Sequence, residues 1–307
     1  MIVIQAISAF NDNYIWIICQ GSAAVVVDPG DAKPVKTYLE AHQLKLRGIL
    51  VTHHHGDHVG GVAELVQAYG CPVFGPSNPN LQAIIDNPVR EGDQLNLSRL
   101  LDGDLAMVLV PACESTEKGS AALLSAAKQD ASVSTEGAQQ QQSVTHSEPI
   151  LSVLEVPGHT MDHIAYFGII NTQQPVLFCG DTLFSCGCGR LFEGDSRIML
   201  QSLDKFKKMP QNTLVYCAHE YTLSNIKWAL AVEPHNEDIH DWQERATQLR
   251  AEGLPTVPTS LGQELKTNPF LRVEVASVRQ AAEAHAGQNL TIPADVLGAL
   301  REWKNTF

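Results

Sequence analysis

The heptapeptide Thr52–His58 (THHHGDH) constrains this chain of 307 residues more than any other feature. It follows a short hydrophobic run and precedes a Gly-Gly pair, so the pattern predicts a strand end, a turn and then a helix over about 62–69. Side chains alternate at a strand end, which lets His53 and His55 face one way while His54 faces the other. Imidazole and carboxylate together suit divalent ions such as zinc. The heptapeptide therefore predicts a metal site.

Later segments repeat this arrangement. Three predicted strands each deliver one possible ligand at the carboxyl end, namely His159, Asp181 and His219. The carboxyl ends of strands are where α/β folds commonly place their sites. We therefore predict seven metal ligands: His53, His55, Asp57, His58, His159, Asp181 and His219. His54 and His163 are predicted to support the site or the fold without binding metal.

The remaining pattern predicts an α/β protein in two parts. Residues 1–219 alternate short β-branched runs with Gly, Pro and Asp, whereas residues 220–307 contain three predicted helices, at about 238–251, 278–286 and 294–305. Between them, residues 113–149 are rich in Ala, Ser, Gln and Glu and contain no aromatic side chain. Such a composition buries little surface, so this segment is predicted to be a flexible insertion.

Composition restricts the class of partner and the compartment. The formal net charge of −13 disfavours nucleic acid, whose phosphates would be repelled. No apolar run approaches the ~20 residues of a membrane helix, and the first ten residues predict a strand, not a signal peptide. The seven cysteines include no CxxC pair, which favours a reducing compartment. We expect a cytoplasmic monomer that contacts neither nucleic acid nor membrane.

Several motifs resemble a known family. HxHxDH, Gly-His, Gly-Asp-Thr and a final His, with Asp28 after an early strand, resemble the metallo-β-lactamase superfamily. The segments NDNY (11–14), GCGRLFEG (187–194), AHEYT (218–222) and NPFLR (268–272) are similar to glyoxalase II, the hydroxyacylglutathione hydrolases. This resemblance implies a four-layer αβ/βα sandwich over 1–219 and a smaller helical substrate-binding domain over 220–307.

The same resemblance implies a centre of two divalent ions, with zinc expected and iron or manganese as alternatives. In that family pattern, metal 1 takes His53, His55 and His159, metal 2 takes Asp57, His58 and His219, and Asp181 bridges the two. Asp57 and Asp181, with a metal-bound hydroxide, would form the catalytic centre. Asp28 either orients a ligand or simply forms an Asp-Pro-Gly turn.

The expected substrate follows from the resemblance and from the leaving group. Arg190, Tyr221 and Arg272 match the family positions that hold glutathione. The expected reaction is hydrolysis of glutathione thioesters, S-D-lactoylglutathione to D-lactate and glutathione in particular, which is the second step of methylglyoxal detoxification. An alkyl thiolate, with a pKa near ~8.5, can leave unprotonated, which favours a thioester over an amide. Two departures affect the substrate contacts: Phe192 stands where some relatives have Tyr, and residues 273–276 lack a Lys found in some members.

Three alternative functions fit the sequence less well. A persulfide dioxygenase of the same superfamily uses a single iron, but that class resembles a shorter chain without the C-terminal helices or NPFLR. A nuclease of the RNase Z or RNase J type is disfavoured by the acidic charge. A non-enzymatic scaffold usually loses ligands, and none of the seven is lost here.

Overall fold

The structure is a computed structural model that describes residues 1–110, 148–171 and 173–307. The first of its two large sheets contains six strands. In spatial order the strands are β1 (Val3–Ala9), β2 (Asn13–Gln20), β3 (Ala23–Val27), β4 (Lys45–Leu50), β5 (Val73–Pro76) and β6 (Asn87–Val89). The pairs β1–β2 and β2–β3 are antiparallel, and the pairs from β3 to β6 are parallel. The parallel strands aim their carboxyl ends at one edge, where the heptapeptide begins.

The second sheet has seven strands, which are β7 (Gln94–Asn96), β8 (Leu109–Val110), β9 (Ile150–Glu155), β10 (Ile164–Ile170), β11 (Gln174–Gly180), β14 (Leu214–Cys217) and β15 (Thr259–Ser260). Their order in the sheet is β15-β14-β11-β10-β9-β7-β8. A separate two-stranded hairpin consists of β12 (Leu183–Phe184) and β13 (Gly187–Cys188).

Ten α-helices are found in the described ranges. They are α1 (Ala32–Ala41), α2 (Gly56–Val59), α3 (Val62–Tyr69), α4 (Leu97–Asp102), α5 (Ser196–Lys207), α6 (Thr222–Val232), α7 (Glu237–Ala251), α8 (Leu261–Thr267), α9 (Ala276–Ala286) and α10 (Pro293–Thr306). Short 3-10 turns span Pro79–Leu81, Leu105–Met107 and Pro269–Leu271. The predicted helices match α3, α7, α9 and α10, whereas α1, α4, α5, α6 and α8 were not predicted from the sequence.

Alternate strand residues fill two separate apolar layers. In β2, Trp16 and Ile18 belong to the core between the sheets, while Ile15 and Ile17 pack with residues of α1 and α3 on the outer face. Both faces of the strands are therefore buried, which explains continuous apolar runs such as 25–27. Helices cover both sheets, since α1 and α3 pack on the first and buried residues of α5 join the cluster that contains the second, in agreement with the expected four-layer sandwich.

The C-terminal helical part is joined to this sandwich. Its strand β15 pairs with β14, with Ser260 opposite Leu214, and its residues Trp228, Phe270 and Leu297 belong to the same hydrophobic cluster as Trp16 and Ile18. The division at 219 and 220 therefore stays a prediction, because one continuous core crosses it.

Most of the insertion predicted over 113–149 lies outside the residues that the structure describes. Residues 113–147 lie outside the described residues, and only 148–149 of that segment are seen, leading into β9. Within the three described ranges, no helix is both long and apolar enough to cross a membrane.

Candidate metal centre and active site

The first group of predicted ligands converges on His55. The Nδ1 atom of His55 lies 3.1 Å from Nε2 of His53 and 3.1 Å from Nε2 of His159. Zinc bonds of 2.0–2.1 Å in a tetrahedral site place neighbouring nitrogens about 3.3 Å apart. The three imidazoles therefore have the spacing of a metal-binding group.

The second group forms around the single turn of α2. It contains Asp57 and His58 from that turn and His219 from the end of β14. The Oδ2 atom of Asp57 lies 3.6 Å from Nε2 of His58 and 3.5 Å from Nε2 of His219. A short helix is needed here, because an extended chain would send adjacent side chains in opposite directions.

Asp181 lies between the two groups. Its Oδ1 atom is 3.4 Å from Nε2 of His58 and 3.3 Å from Nε2 of His219, while its Oδ2 atom is 3.3 Å from Nε2 of His159. One carboxylate thus faces ligands of both predicted metals with a different oxygen for each.

Two buried atoms of this cluster have the environment of metal ligands. Nε2 of His58 and Oδ1 of Asp181 are buried, yet neither forms a hydrogen bond with any residue that the structure describes. Buried polar atoms normally have partners, since an unmade bond costs about 1–3 kcal/mol. A divalent ion is a natural partner for an imidazole nitrogen and a carboxylate oxygen, so the donor set fits the metals predicted from sequence.

Hydrogen bonds on the outer side fix the form of each histidine. Nδ1 of His159 donates to the carbonyl oxygen of Arg190 at 2.8 Å, which assigns the proton to Nδ1. The Nδ1 atoms of His58 and His219 face the carboxylates of Asp28 at 3.1 Å and Asp12 at 2.8 Å. In the neutral form of these three rings, the lone pair of Nε2 faces the cluster.

Asp28 supports a second histidine through Thr52. Its Oδ1 atom accepts from the backbone N–H of Thr52 at 2.7 Å, and its Oδ2 atom accepts from the hydroxyl at 2.7 Å. That hydroxyl oxygen lies 3.1 Å from Nδ1 of His53. Of the two alternatives for Asp28, these contacts favour the orienting role.

Burial and charge set the protonation of the cluster. Burial lowers the pKa of His53 well below its usual range, which favours the neutral ring that binds metal. Burial also opposes charge on His58, but the carboxylates of Asp181 and Asp28 outweigh it and raise the pKa of His58 well above the usual value. Burial alone would raise the pKa of Asp181, but His58 and His219 hold it well below its usual range. A metal entering this group would displace the proton of His58.

The two remaining histidines lie where the sequence analysis put them. Burial lowers the pKa of His163 to about 3, and its neutral Nε2 accepts the backbone N–H of Asp181 at 3.1 Å. His54 turns away, with Nδ1 2.9 Å from Oδ1 of Asp162 and Nε2 3.3 Å from Oε1 of Glu193. His54 therefore joins three loops without facing the predicted metals.

The predicted substrate residues divide into two groups. Tyr221 is half-buried and stacks on His219 at 4.7 Å between ring centroids, and the exposed Arg190 follows the hairpin β12–β13. Phe192 is 61% exposed and meets the rings of His55 and His159 at 5.7 and 5.3 Å. These side chains form a rim around the cluster.

Arg272 is engaged elsewhere in the helical part. Its Nε donates to Oε2 of Glu233 at 2.8 Å and its Nη2 to Oε1 at 2.9 Å, and Nη1 donates to the carbonyl oxygen of Leu265 at 3.3 Å. Three of its five N–H donors are therefore already used. Its role in substrate binding stays a prediction.

Several supporting residues had no role predicted from the sequence. Asp12 holds His219, and Nδ2 of Asn13 donates to Oδ2 of Asp57 at 3.0 Å. Both lie in the segment 11–14, which was noted for its resemblance but given no role. The partners lie 207 and 44 residues away, so only the resemblance could have drawn attention to them.

Comparisons with known proteins agree with this geometry. A family model described as the metallo-beta-lactamase superfamily matches residues 10–219, and one described as the hydroxyacylglutathione hydrolase C-terminus matches residues 220–307. A hydroxyacylglutathione hydrolase of Hahella chejuensis is 44% identical over 100% of both chains. The chain belongs to the hydroxyacylglutathione hydrolase family. A second member, from Nitrosomonas europaea, is 40% identical over 100% of this chain and 97% of its own.

Membership of the hydroxyacylglutathione hydrolase family confirms the resemblance seen in the sequence and makes the chain a metal-dependent hydrolase. The family and the His/Asp cluster together indicate binding of divalent metal. Solved structures confirm the fold. The crystal structure of ETHE1 from Myxococcus xanthus matches with a TM-score of 0.54 at 19% identity, covering 100% of this chain and 99% of that one. A metallo-beta-lactamase from Staphylococcus aureus matches with a TM-score of 0.55 at 16% identity, covering 98% and 72%.

Proposed function

We propose that this protein hydrolyses glutathione thioesters, S-D-lactoylglutathione in particular, to the hydroxy acid and glutathione. The observation that carries the proposal is the position of Asp181 between two His/Asp groups, in a chain whose full length matches hydroxyacylglutathione hydrolases. A single carboxylate facing both groups suits a site with two metals, whereas a site with one metal needs no such bridge.

The proposed cofactors are two divalent ions, with zinc as the first candidate. His53, His55 and His159 would hold one ion, Asp57, His58 and His219 the other, and Asp181 both. Ions bound there supply a water of lowered pKa and a positive charge that polarises the thioester carbonyl. Five neutral imidazoles and two carboxylates contribute only two negative charges to the site. The centre therefore stays positive and can stabilise the oxyanion that forms at the carbonyl.

Tyr221 is proposed to contact the substrate beside this centre. Burial, together with the carboxylates of Asp12 and Asp181, raises the pKa of Tyr221 above its usual range. Its hydroxyl therefore keeps its proton near neutral pH and remains a hydrogen-bond donor. The leaving thiolate needs no acid, since an alkyl thiol has a pKa near ~8.5.

Glutathione is the proposed feature that distinguishes the substrate from other thioesters. Arg190 is exposed at the rim, and Arg272 keeps two N–H donors beyond those given to Glu233 and Leu265. Both are proposed to bind carboxylates of the tripeptide. A cytoplasmic location and a monomeric state are part of the proposal. All six described cysteines are free, which suits a reducing compartment.

Hydrolysis of S-D-lactoylglutathione by the purified protein, with metal analysis of the same sample, tests this function. We expect turnover with about two divalent ions per chain and no uptake of oxygen. A thioester with the same acyl group on a small thiol should be a poorer substrate. Oxygen consumption with glutathione persulfide, without thioesterase activity, would replace the proposal by the dioxygenase alternative.

A further inference from the structure

The hairpin β12–β13 touches both halves of the proposed metal centre. The ring of Phe184 meets the ring of His219 edge-on at 5.7 Å, and just past the hairpin the carbonyl oxygen of Arg190 accepts from His159. Gly189 lies between Phe184 and Arg190 in the sequence, and a Cβ atom on it would be 2.1 Å from the carbonyl oxygen of Asp181. The backbone at Gly189 therefore packs directly against the backbone of Asp181. Any displacement of the hairpin would move ligands of both groups.

The hairpin has little to hold it in place by itself. It has only two residue pairs and belongs to neither large sheet. An isolated two-stranded hairpin is at best marginally stable in water. Its turn residue Cys186 has φ +54°, in the left-handed region that residues other than glycine rarely adopt. Its conformation must therefore be imposed by neighbouring residues.

Side chains of the helical part supply those constraints. Nδ2 of Asn268 donates to the carbonyls of Phe184 and Gly187 at 3.0 Å each, and the other contacts follow the turn in order. They are Asn225 Nδ2 to Ser185 O at 2.8 Å, Trp242 Nε1 to Ser185 Oγ at 3.0 Å, Cys186 N to Glu264 Oε2 at 2.8 Å, and Arg301 Nη1 to Cys188 O at 2.7 Å.

These side chains are buried, although each carries a strongly polar group. Asn225, Glu264, Asn268 and Arg301 all belong to the buried set. Burying a polar group is unfavourable unless it is hydrogen-bonded, so their partners on the hairpin are required. Arg301 contacts Cys188 across 113 residues of sequence. The C-terminal helix thus reaches the loop that holds His159.

We propose that the helical part positions the metal centre through this hairpin, with Asn225, Asn268, Glu264 and Arg301 as the positioning residues. They act at a distance, because each is hydrogen-bonded to a backbone group of the hairpin, and the hairpin with the residues just after it contacts His219 and His159. This inference rests on the proposed function only in taking the cluster to bind metal.

Arg301→Met tests the proposal most directly. The substitution removes the donor to Cys188. In the wild type the guanidinium of Arg301 lies 5.2 Å from the ring centroid of Phe270, and the apolar methionine side chain can still pack near that ring. The matched control is Arg279→Met, because Arg279 is exposed on α9. Four proteins are loaded with zinc and titrated with a chelator, namely the wild type, Arg301→Met, Arg301→Lys and Arg279→Met. Their kcat and KM are measured in parallel.

We expect Arg301→Met to release zinc at about tenfold lower chelator concentration than the wild type, and Arg279→Met to match the wild type. Mutation of a group that supports a metal ligand typically lowers metal affinity or activity by about 10–100-fold. We expect the lower end of that range, because Arg301 acts through one further contact. The kcat should fall about tenfold with KM nearly unchanged. Arg301→Lys, which keeps one cationic donor, should lie between the two. A cobalt-loaded sample should show a changed visible absorption for Arg301→Met only.

A folded Arg301→Met protein with wild-type metal retention, spectrum and kcat would overturn the inference. Should that variant fail to fold, Asn225→Ala takes its place, since alanine favours the helix α6 and removes the donor to Ser185. Metal retention equal to the wild type in Asn225→Ala would likewise overturn it, and a loss of about threefold would support it. The proposed function fails separately, if the wild type binds no divalent ion or does not cleave the thioester.

Discussion

Replacing Arg272 separates two roles that the sequence and the structure assign to it. The family resemblance predicts that its guanidinium binds a carboxylate of the substrate. In the structure it makes a bidentate ion pair with Glu233, whose side chain is only 5% exposed. Arg272→Ala removes both interactions at once, so its effect on stability must be measured together with its effect on catalysis.

The expected loss of stability follows from the burial of Glu233. Removing one partner of a buried ion pair costs about 3–5 kcal/mol, because the other charge is left without compensation. The side chain of Arg272 is 20% exposed, and the hydroxyl of Ser277 still donates to Glu233 at 2.8 Å, so we expect about 3 kcal/mol. At about 2–4 °C per kcal/mol for a protein approaching this size, the melting temperature should fall by about 6–12 °C.

The loss should also depend on pH. Burial alone would raise the pKa of Glu233, but the hydrogen bonds from Arg272 and Ser277 outweigh it and lower the pKa. A lowered pKa means that the pair stabilises the fold fully above the pKa of glutamate in the unfolded chain. The contribution is lost as pH falls through the lower folded value. The difference in melting temperature between the wild type and Arg272→Ala should therefore narrow in acid.

Thermal melts and kinetics on two substrates distinguish the roles. The double variant Arg272→Met with Glu233→Leu should recover most of the lost stability, because no charge remains buried. If Arg272 also binds glutathione, kcat/KM should fall about 10–100-fold on the glutathione thioester and little on a small thioester. If it acts only through Glu233, both substrates should lose activity equally. A melting temperature of Arg272→Ala equal to that of the wild type would refute the ion-pair reasoning.

Further predictions concern the cluster and its rim. Asp181→Ala should remove most activity and lower the metal content measured by elemental analysis, and an active variant with two metals would contradict the bridge. His54→Ala should keep its metal where His55→Ala loses it in the same analysis, because His54 faces Asp162 and Glu193. Tyr221→Phe should keep its stacking and lower kcat/KM about fivefold, the effect of ~1 kcal/mol for one hydrogen bond, and an unchanged value would exclude hydroxyl contact. Metal affinity in a chelator titration should fall from pH 8 to pH 6, since the raised pKa of His58 makes protons compete, and equal affinities would contradict that.

The sequence by itself indicated the proposed ligands of the centre, because their arrangement is local. In Thr52–His58 the strand end and the turn after it could be predicted from a few residues of pattern, and the turn proved to be the one-turn helix α2. The same holds for His159, Asp181 and His219, each just beyond a hydrophobic strand. The orientation of His54 could be predicted for the same reason, since alternation along an extended chain needs no knowledge of the rest of the fold.

Contacts across the fold could not be read in this way. Asp12 meets His219, Arg190 meets His159 through its backbone, and Arg301 meets Cys188, all between segments separated by 31 to 207 residues. The packing of the two sheets and the C-terminal helices brings these groups together, and no local pattern records which distant side chain a buried carbonyl or imidazole will find. The sequence therefore determined which residues are the candidates for binding metal. The tertiary structure decided what holds them, and it paired Arg272 with Glu233 because a buried carboxylate needs a cation nearby.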